Sequence, residues 1–375
     1  MSDLRCELVR IDDVRHHPNA DRLDIVKIKG FEAIVGRGSY SKGDAVVYIP
    51  EASVLPSDVI SDLGLEGRLS GKDKNRVTAV RLRGVLSQGL IHPIGTGRMH
   101  NRDGLLDRIE IGSDFREHLG IEKYEPPIPT TMSGRLKFGL AQKFDVENIQ
   151  YEPDLFSEGE LVNVSEKLHG TYFQAGIFGV DTEFKSYSHN LNVVTSKGLA
   201  AKLLVFDTES KENDSNIYVR AFLDNEIPSK IRTCIGSLIR ENLIQKLFLM
   251  GEIVGPKVQS MNYGLKDRTL YIFDTYIVGT HIRSRFLSRK ELRWLCEECG
   301  FNMIPEVETE VEFSKDKLDE WRSAPSLVGG GLREGVVIRS IPERDPGLPR
   351  FNRACAKVIN PEYLTSKKVG DGGPQ

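Results

Sequence analysis

What most restricts the fold of this chain is the brevity of its apolar runs. In the first third, Ile25-Val26-Lys27-Ile28, Val46-Val47-Tyr48-Ile49 and the stretch from Val77 to Leu82 are short and set between turn-forming residues. A helical face needs apolar residues at three-and-four spacing over a longer window, whereas short runs fit strands joined by turns. Residues 1–120 therefore read as a small β-barrel.

Helical spacing first becomes clear at Ile231, Ile235, Leu238, Ile239 and Leu243. Strands are expected around it, at Leu247–Val254, Leu270–Ile277 and Gly335–Ile338. Between the two regimes lies Pro126-Pro127-Ile128-Pro129, a stiff extended segment that marks a linker over residues 121–140. The expected organisation is a barrel at 1–120 and an α+β domain at 141–375, and no repeat of 20–50 residues interrupts it. Only Gly370–Gln375 reads as a disordered end.

Composition excludes several classes. With 51 Lys+Arg against 54 Asp+Glu the net charge is -3, so any polyanion site must be local. Met1-Ser2-Asp3-Leu4-Arg5-Cys6 lacks the apolar core of a secretion signal, and no run is long enough for a membrane span. A soluble, intracellular protein with no membrane partner is expected, as a monomer. Five cysteines (Cys6, Cys234, Cys296, Cys299, Cys355) are too few and scattered for a disulfide framework. Cys296 and Cys299 have metal-ligand spacing, but Ser288-Arg289-Lys290-Glu291 reads as a capping box and Gly300 as a helix stop, so they read as helix cysteines. The histidines His16, His17, His92, His100, His118, His189 and His281 form no chelating cluster and are expected on loops or the surface.

Four charges break the apolar pattern of the second domain. Lys167 follows Leu161-Val162-Asn163-Val164, and Gly170 allows a turn before Thr171-Tyr172-Phe173 resumes an extended pattern. Glu252 lies within Phe248-Leu249-Met250-Gly251-Glu252-Ile253-Val254-Gly255, Glu334 heads Gly335-Val336-Val337-Ile338, and Lys357 sits in Ala354-Cys355-Ala356-Lys357-Val358-Ile359. A buried charge without a partner costs several kcal/mol, so these residues must face one another, a cation or a ligand. Two readings follow: buried salt bridges, or a site whose lysines meet phosphate and whose glutamates hold a ribose hydroxyl or Mg²⁺. Small residues beside each charge favour the site. Burial also disfavours the ammonium form, so a partly deprotonated, nucleophilic Lys167 is expected near neutral pH.

These residues resemble the covalent nucleotidyltransferases, the superfamily of ATP-dependent polynucleotide ligases and RNA capping enzymes. Lys167-Leu168-His169-Gly170 is similar to their first motif, Lys-x-Asp-Gly. Gly251-Glu252, Phe273, Glu334-Gly335 and Lys357 are similar, in order, to the later motifs. The runs Glu166 to Thr171, Gly251 to Pro256 and Lys357 to Leu364 resemble RNA ligases that carry an N-terminal OB-fold module. So do His17-Pro18-Asn19-Ala20-Asp21-Arg22-Leu23, Gly43 to Pro50 and Leu82 to Leu90, so the resemblance covers nearly the whole chain.

The resemblance implies an OB-like barrel followed by an adenylyltransferase domain of antiparallel sheets flanked by helices. It implies ATP and Mg²⁺ or Mn²⁺ as cofactors, and RNA ends or a nicked duplex containing RNA as substrate. Lys167 would take AMP from ATP, then pass it to a 5′-phosphate for displacement by a 3′-hydroxyl, as in RNA repair. Lys357 would neutralise the α-phosphate, Glu334 and His169 would lie at the metal, and Glu252 would read the ribose. Phe273 would stack on adenine, Glu166 would accept from its amino group, and Leu168 belongs to the same ATP-binding run.

Three departures stand out: His169 in place of the motif's aspartate, Tyr172 where DNA ligases place an arginine, and Cys355 where a Lys-x-Lys motif has its first lysine. Guanylyl transfer and an inert RNA-binding site remain as alternatives. For RNA, Lys72, Lys74, Arg76, Arg81 and Arg83 against the lone Asp73 give a local excess of +4, read either as a phosphate-tracking stripe or as a solvated face. Arg81 and Arg83 are expected on one strand face, opposite Val80 and Leu82. Lys185 and Lys197 are candidates for the acceptor 5′-phosphate.

Overall fold

The computed structural model describes residues 4–95, 110–124, 135–138, 142, 144, 146–178, 192–195, 202–205, 217–240, 243–280 and 282–366. Lys185, Lys197, His100, His189, His281, Pro126–Pro129 and Gly370–Gln375 lie outside them. The chain is a mixed α+β protein of two compact units. One comprises Ser2–Tyr124, Glu147–Phe156 and Val358–Gln375, the other Glu125–Val146 and Ser157–Lys357.

Four small antiparallel sheets lie in the barrel unit among the described residues, three of them as follows. Ala45–Ile49 lies between Glu7–Arg10 and Leu90–Pro93, Leu23–Ile28 between Asp13–His16 and Phe31–Gly36, and Val80–Leu82 pairs with Val85–Ser87. Alternation along Ala45–Ile49 sends Val46 and Tyr48 into one apolar cluster and Val47 and Ile49 into another. Burial on both faces is why this strand is a continuous apolar run. His17 and His92, expected at the surface, are buried: His17 Nε2 is 3.0 Å from the Leu82 carbonyl and His92 Nδ1 is 2.8 Å from that of Pro93.

Two boundaries differ from expectation. Glu122–Lys123 pairs with Ser53–Val54, so the barrel unit runs on past residue 120. Residues 147–156 and those after 357 group with the barrel unit, in which Gln150 and Glu362 make polar contacts. Gly30 N donates to Gln150 O at 2.9 Å, Gln150 Nε2 donates to Gly30 O at 2.6 Å, and Arg81 Nη2 donates to Glu362 at 2.6 Å.

In the other unit, Thr171–Phe178, Ile244–Val254 and Thr269–Gly279 are adjacent antiparallel strands. Phe173, Leu247, Leu249, Ile253, Leu270 and Ile272 pack on helices Ile217–Asp224, Ile227–Arg240 and Arg289–Cys299. Burying each such side chain contributes about 1.5–3 kcal/mol. Leu243 lies beyond the Ile227–Arg240 helix, in the turn before the next strand. Ser288 and Glu291 form the expected capping box, Gly300 is left-handed at φ 60°, and Cys296 and Cys299 are buried in the core. All five cysteines are free.

A second sheet orders Cys355–Ile359, Gly335–Ser340, Leu161–Lys167 and Glu306–Glu312 side by side. Its register sets Lys167 opposite Gly335, which brings the end of one strand beside the start of the next.

Candidate active site

Strand pairing assembles the site from distant parts of the chain. Because Lys167 pairs with Gly335, the preceding Glu334 reaches back, and Lys167 Nζ lies 2.5 Å from Glu334 Oε1. Gly170 N donates to Glu252 Oε1 at 3.0 Å. Glu252 stands between Tyr172 and Tyr271 in register, on the face opposite the helices. Gly170 is required here: a Cβ would lie 2.2 Å from the Ile253 carbonyl oxygen. Lys357 lies two strands from Lys167 in the same sheet and forms no ion pair with any other described residue.

The electrostatics reverse one expectation. Burial favours the neutral Lys167 amine, but the Glu334 and Glu252 carboxylates outweigh it and hold the pKa above its ordinary value. Lys167 is therefore an ammonium in this arrangement. Burial pushes Glu252 up to about 8, against the opposing pull of Lys167 and reinforced by Glu334. Glu334 Oε2 is buried with no hydrogen-bond partner, the kind of atom that awaits a cation or ligand.

The loop 255–265 organises His169. Its backbone N donates to Tyr263 Oη at 2.5 Å, its Nε2 lies 3.1 Å from Ser260 Oγ, and its Nδ1 faces Glu334 Oε2 at 3.9 Å. No signal in the sequence marked Ser260 or Tyr263. Leu168 is buried among Val254, Tyr263, Ile304 and Val328, so its side chain is core. Among the described residues no cluster of three His, Cys, Asp or Glu side chains could hold a metal ion. The site instead suits a hydrated ion carried by phosphate oxygens, with the orphaned Glu334 oxygen as one anchor.

Phe273 is half-buried on the same side as Tyr271. Its ring lies 5.0 Å from that of Phe144 and 6.0 Å from that of Tyr172. Gln174 anchors this cluster: Gln142 N donates to its Oε1 at 3.1 Å, while its Nε2 donates to Gln142 O at 3.0 Å and Tyr172 Oη at 2.8 Å. Behind the strand, Arg289 donates to the Phe273 carbonyl at 3.1 Å, and fully buried Asp274 meets Arg353 at 2.8 Å and Arg339 at 3.2 Å.

Glu166 is placed differently from expectation. Its oxygens accept from Ser326 Oγ at 2.5 Å and Leu327 N at 2.7 Å, and it is 1% exposed. It holds the turn that begins at Ser326. The basic residues of the barrel unit do not form one stripe. Arg76 is buried, its guanidinium 4.2 Å from the Tyr124 ring centre. Arg83 sits beyond its strand at φ 49°, so it does not share the Arg81 face, and Val80 and Leu82 are exposed. Lys72, Lys74, Arg81 and Arg83 are exposed, Arg81 in contact with Glu362.

Lys167, Glu252 and Glu334 thus gather on adjoining strands, and Phe144, Tyr172 and Phe273 form an aromatic cluster in the same unit. Residues 160–359 match the RNA ligase family and residues 6–94 match an OB-fold domain. The first match spans more than half of the chain, which therefore belongs to the RNA ligase family and is an enzyme that joins RNA ends. No curated protein sequence matches. Among solved structures, a variant of Naegleria gruberi RNA ligase with AMP and Mn is similar at TM-score 0.76 and 22% identity, covering 98% of this chain and 100% of that one. The same ligase with PPi gives TM-score 0.75 and 22% identity over 96% and 98%. Another variant, with ATP and Mn, gives TM-score 0.75 and 22% identity over 97% and 99%. No helix among the described residues is long and apolar enough to cross a membrane.

Proposed function

We propose that this chain is an ATP-dependent RNA ligase that works through a lysyl-AMP intermediate on Lys167 and serves RNA repair. The observation that carries the reading is the Lys167–Glu334 contact of 2.5 Å with Glu252 bonded to the adjoining Gly170. Supporting it, the similar Naegleria ligase has been solved with ATP and Mn.

Lys167 attacks only after losing a proton, and Glu334 Oε1 is the acceptor in place to take it. Nζ then bonds to the α-phosphorus as the bond to the β-phosphate oxygen breaks, and pyrophosphate leaves with the electron pair. Lys357 offsets charge on the α-phosphate, Phe273 stacks on adenine, and Glu252 accepts from a ribose hydroxyl. Glu334 and His169 would hold Mg²⁺ or Mn²⁺, which when bound would supply further positive charge toward the phosphates. An oxygen of the RNA 5′-phosphate displaces Lys167 from AMP. The 3′-hydroxyl then attacks the 5′-phosphorus, the strands join and AMP is released.

The test is ligation of a nicked duplex with an RNA 3′-hydroxyl and either a 5′-phosphate or a 5′-hydroxyl. Joining, with an adenylated 5′-phosphate strand as a transient species, is expected for the first alone. Joining without ATP, or equal joining of both, refutes the reading.

A further inference from the structure

The backbone on either side of Lys167 is anchored, and the two anchors meet. Before it, Glu166 accepts from Ser326 Oγ at 2.5 Å and from Leu327 N at 2.7 Å. After it, Leu168 belongs to the same buried cluster as Tyr263 and Val328, and His169 N donates to Tyr263 Oη at 2.5 Å. The turn after Ser326 lies directly on the Tyr263 loop, since a Cβ on Gly329 would come to 2.0 Å from the Tyr263 carbonyl oxygen. Turn and loop thus form one brace around the backbone that carries the Lys167 amine.

Tyr263 holds its place against its own backbone preference. Leu265 N donates to Asn262 O at 3.0 Å, closing a tight turn whose central residues, Tyr263 at φ 55° and Gly264 at φ 69°, are both left-handed. Asn, Asp or Gly is favoured at the first of these positions, and a bulky residue there is strained. Such strain persists where the surroundings over-determine the conformation, here through the ring in the cluster and the hydroxyl on His169 N. Glu166 is committed in the same way. Neighbouring residues of a strand point to opposite faces, so Glu166 is turned from the face of Lys167, and both its oxygens are bonded at 1% exposure.

Resting on the proposed nucleotidyl-transfer reading of this site, we infer that Tyr263 and Glu166 are positioning residues that hold the backbone of the Lys167 nucleophile in line for attack, and that Glu166 does not select the base. Attack at phosphorus is sensitive to placement: a displacement of about 1 Å costs roughly a hundredfold in rate. A group that acts by position changes the rate of the bound complex, whereas one that reads the base changes which nucleotide is used.

The test is single-turnover adenylylation of the full chain with α-³²P-ATP in the wild type, Tyr263→Phe, Ser326→Ala and Glu166→Gln. Tyr263→Phe keeps the ring and removes only the hydroxyl. The rate at saturating ATP is expected to fall roughly tenfold in Tyr263→Phe and in Ser326→Ala. The ATP concentration giving half that rate, and the fraction of protein finally labelled, are expected to stay at wild-type values, which places the loss in rate and not in the amount of folded protein. Purine riboside triphosphate, which lacks the 6-amino group of ATP, separates positioning from base reading: Glu166→Gln is expected to slow both nucleotides by the same factor. Should Tyr263→Phe fail to fold, Ser326→Ala makes the same comparison from the other side of the brace. Wild-type rates in the folded variants, or a loss in Glu166→Gln confined to ATP, overturn the inference while labelling of the wild type leaves the site reading standing. If the wild type itself takes no label, the site reading falls with it.

Discussion

Replacing Lys167 with methionine isolates the charge balance of the site, because it removes the ammonium and leaves Glu334 and Glu252 facing one another. Removing one partner of a fully buried pair costs about 3–5 kcal/mol. The Glu334 side chain is 3% exposed, but that of Lys167 is 22% exposed and partly screened, so a loss of about 2–3 kcal/mol is expected. For a domain of this size that lowers Tm by roughly 5–10 °C. The sign with pH follows from the carboxylates. Glu252 is already pushed up from 4.5 to about 8, and a carboxyl whose folded value is raised contributes stability below its unfolded value that is lost as pH rises through the folded one. The Lys167→Met deficit is therefore smaller near pH 5, where Glu252 is protonated, than above pH 8. Lys167 itself, raised from 10.5, keeps its contribution in the wild type across that range and loses it only at more alkaline pH. Thermal melts of both proteins at the two pH values, with Glu334→Gln added to the variant to restore stability, provide the assay. An equal deficit at both pH values, or none at the higher, refutes the reasoning.

Gly170→Ala would press a methyl group to 2.2 Å from the Ile253 carbonyl, so loss of adenylylation and a lower melting temperature are expected, and wild-type behaviour in both would show that the turn can yield. Phe273→Ala is expected to raise KM for ATP roughly tenfold with little change in kcat, as measured by initial rates of label transfer; an unchanged KM removes the ring from base stacking. Arg353→Met leaves Asp274, 0% exposed, with Arg339 as its remaining ion-pair partner, and should cost about 2–4 kcal/mol by urea denaturation. Adding Asp274→Asn should recover part of that loss, and failure to do so would place the effect outside the ion pair.

Much of the frame was legible because strand and helix periods are local. The capping box at Ser288 and the strand around Glu252 need only neighbouring residues to be read, and a charge within an apolar run announces that something must meet it. What met those charges was less visible. Ser260, Tyr263 and Gln174 serve the site through tertiary contacts, and their own surroundings in sequence carry no periodic or motif signal. The same limit applies to Glu166, whose carboxylate is consumed by a turn 160 residues away. The protonation of Lys167 was misjudged from burial alone, since the two carboxylates that outweigh it arrive from other strands. Arg76 read as surface charge, yet its ring contact with Tyr124 lies 48 residues along the chain and draws it inside.

The most direct test of the central claim is to incubate the protein with α-³²P-ATP and Mn²⁺ or Mg²⁺, recover the labelled peptide and assign the modified residue by mass spectrometry. An acid-labile phosphoramidate of AMP on Lys167, chased into RNA by a 5′-phosphate end and absent in Lys167→Ala, is the predicted result. Label on another residue, equal label on Lys167→Ala, or none on the wild type would contradict the account.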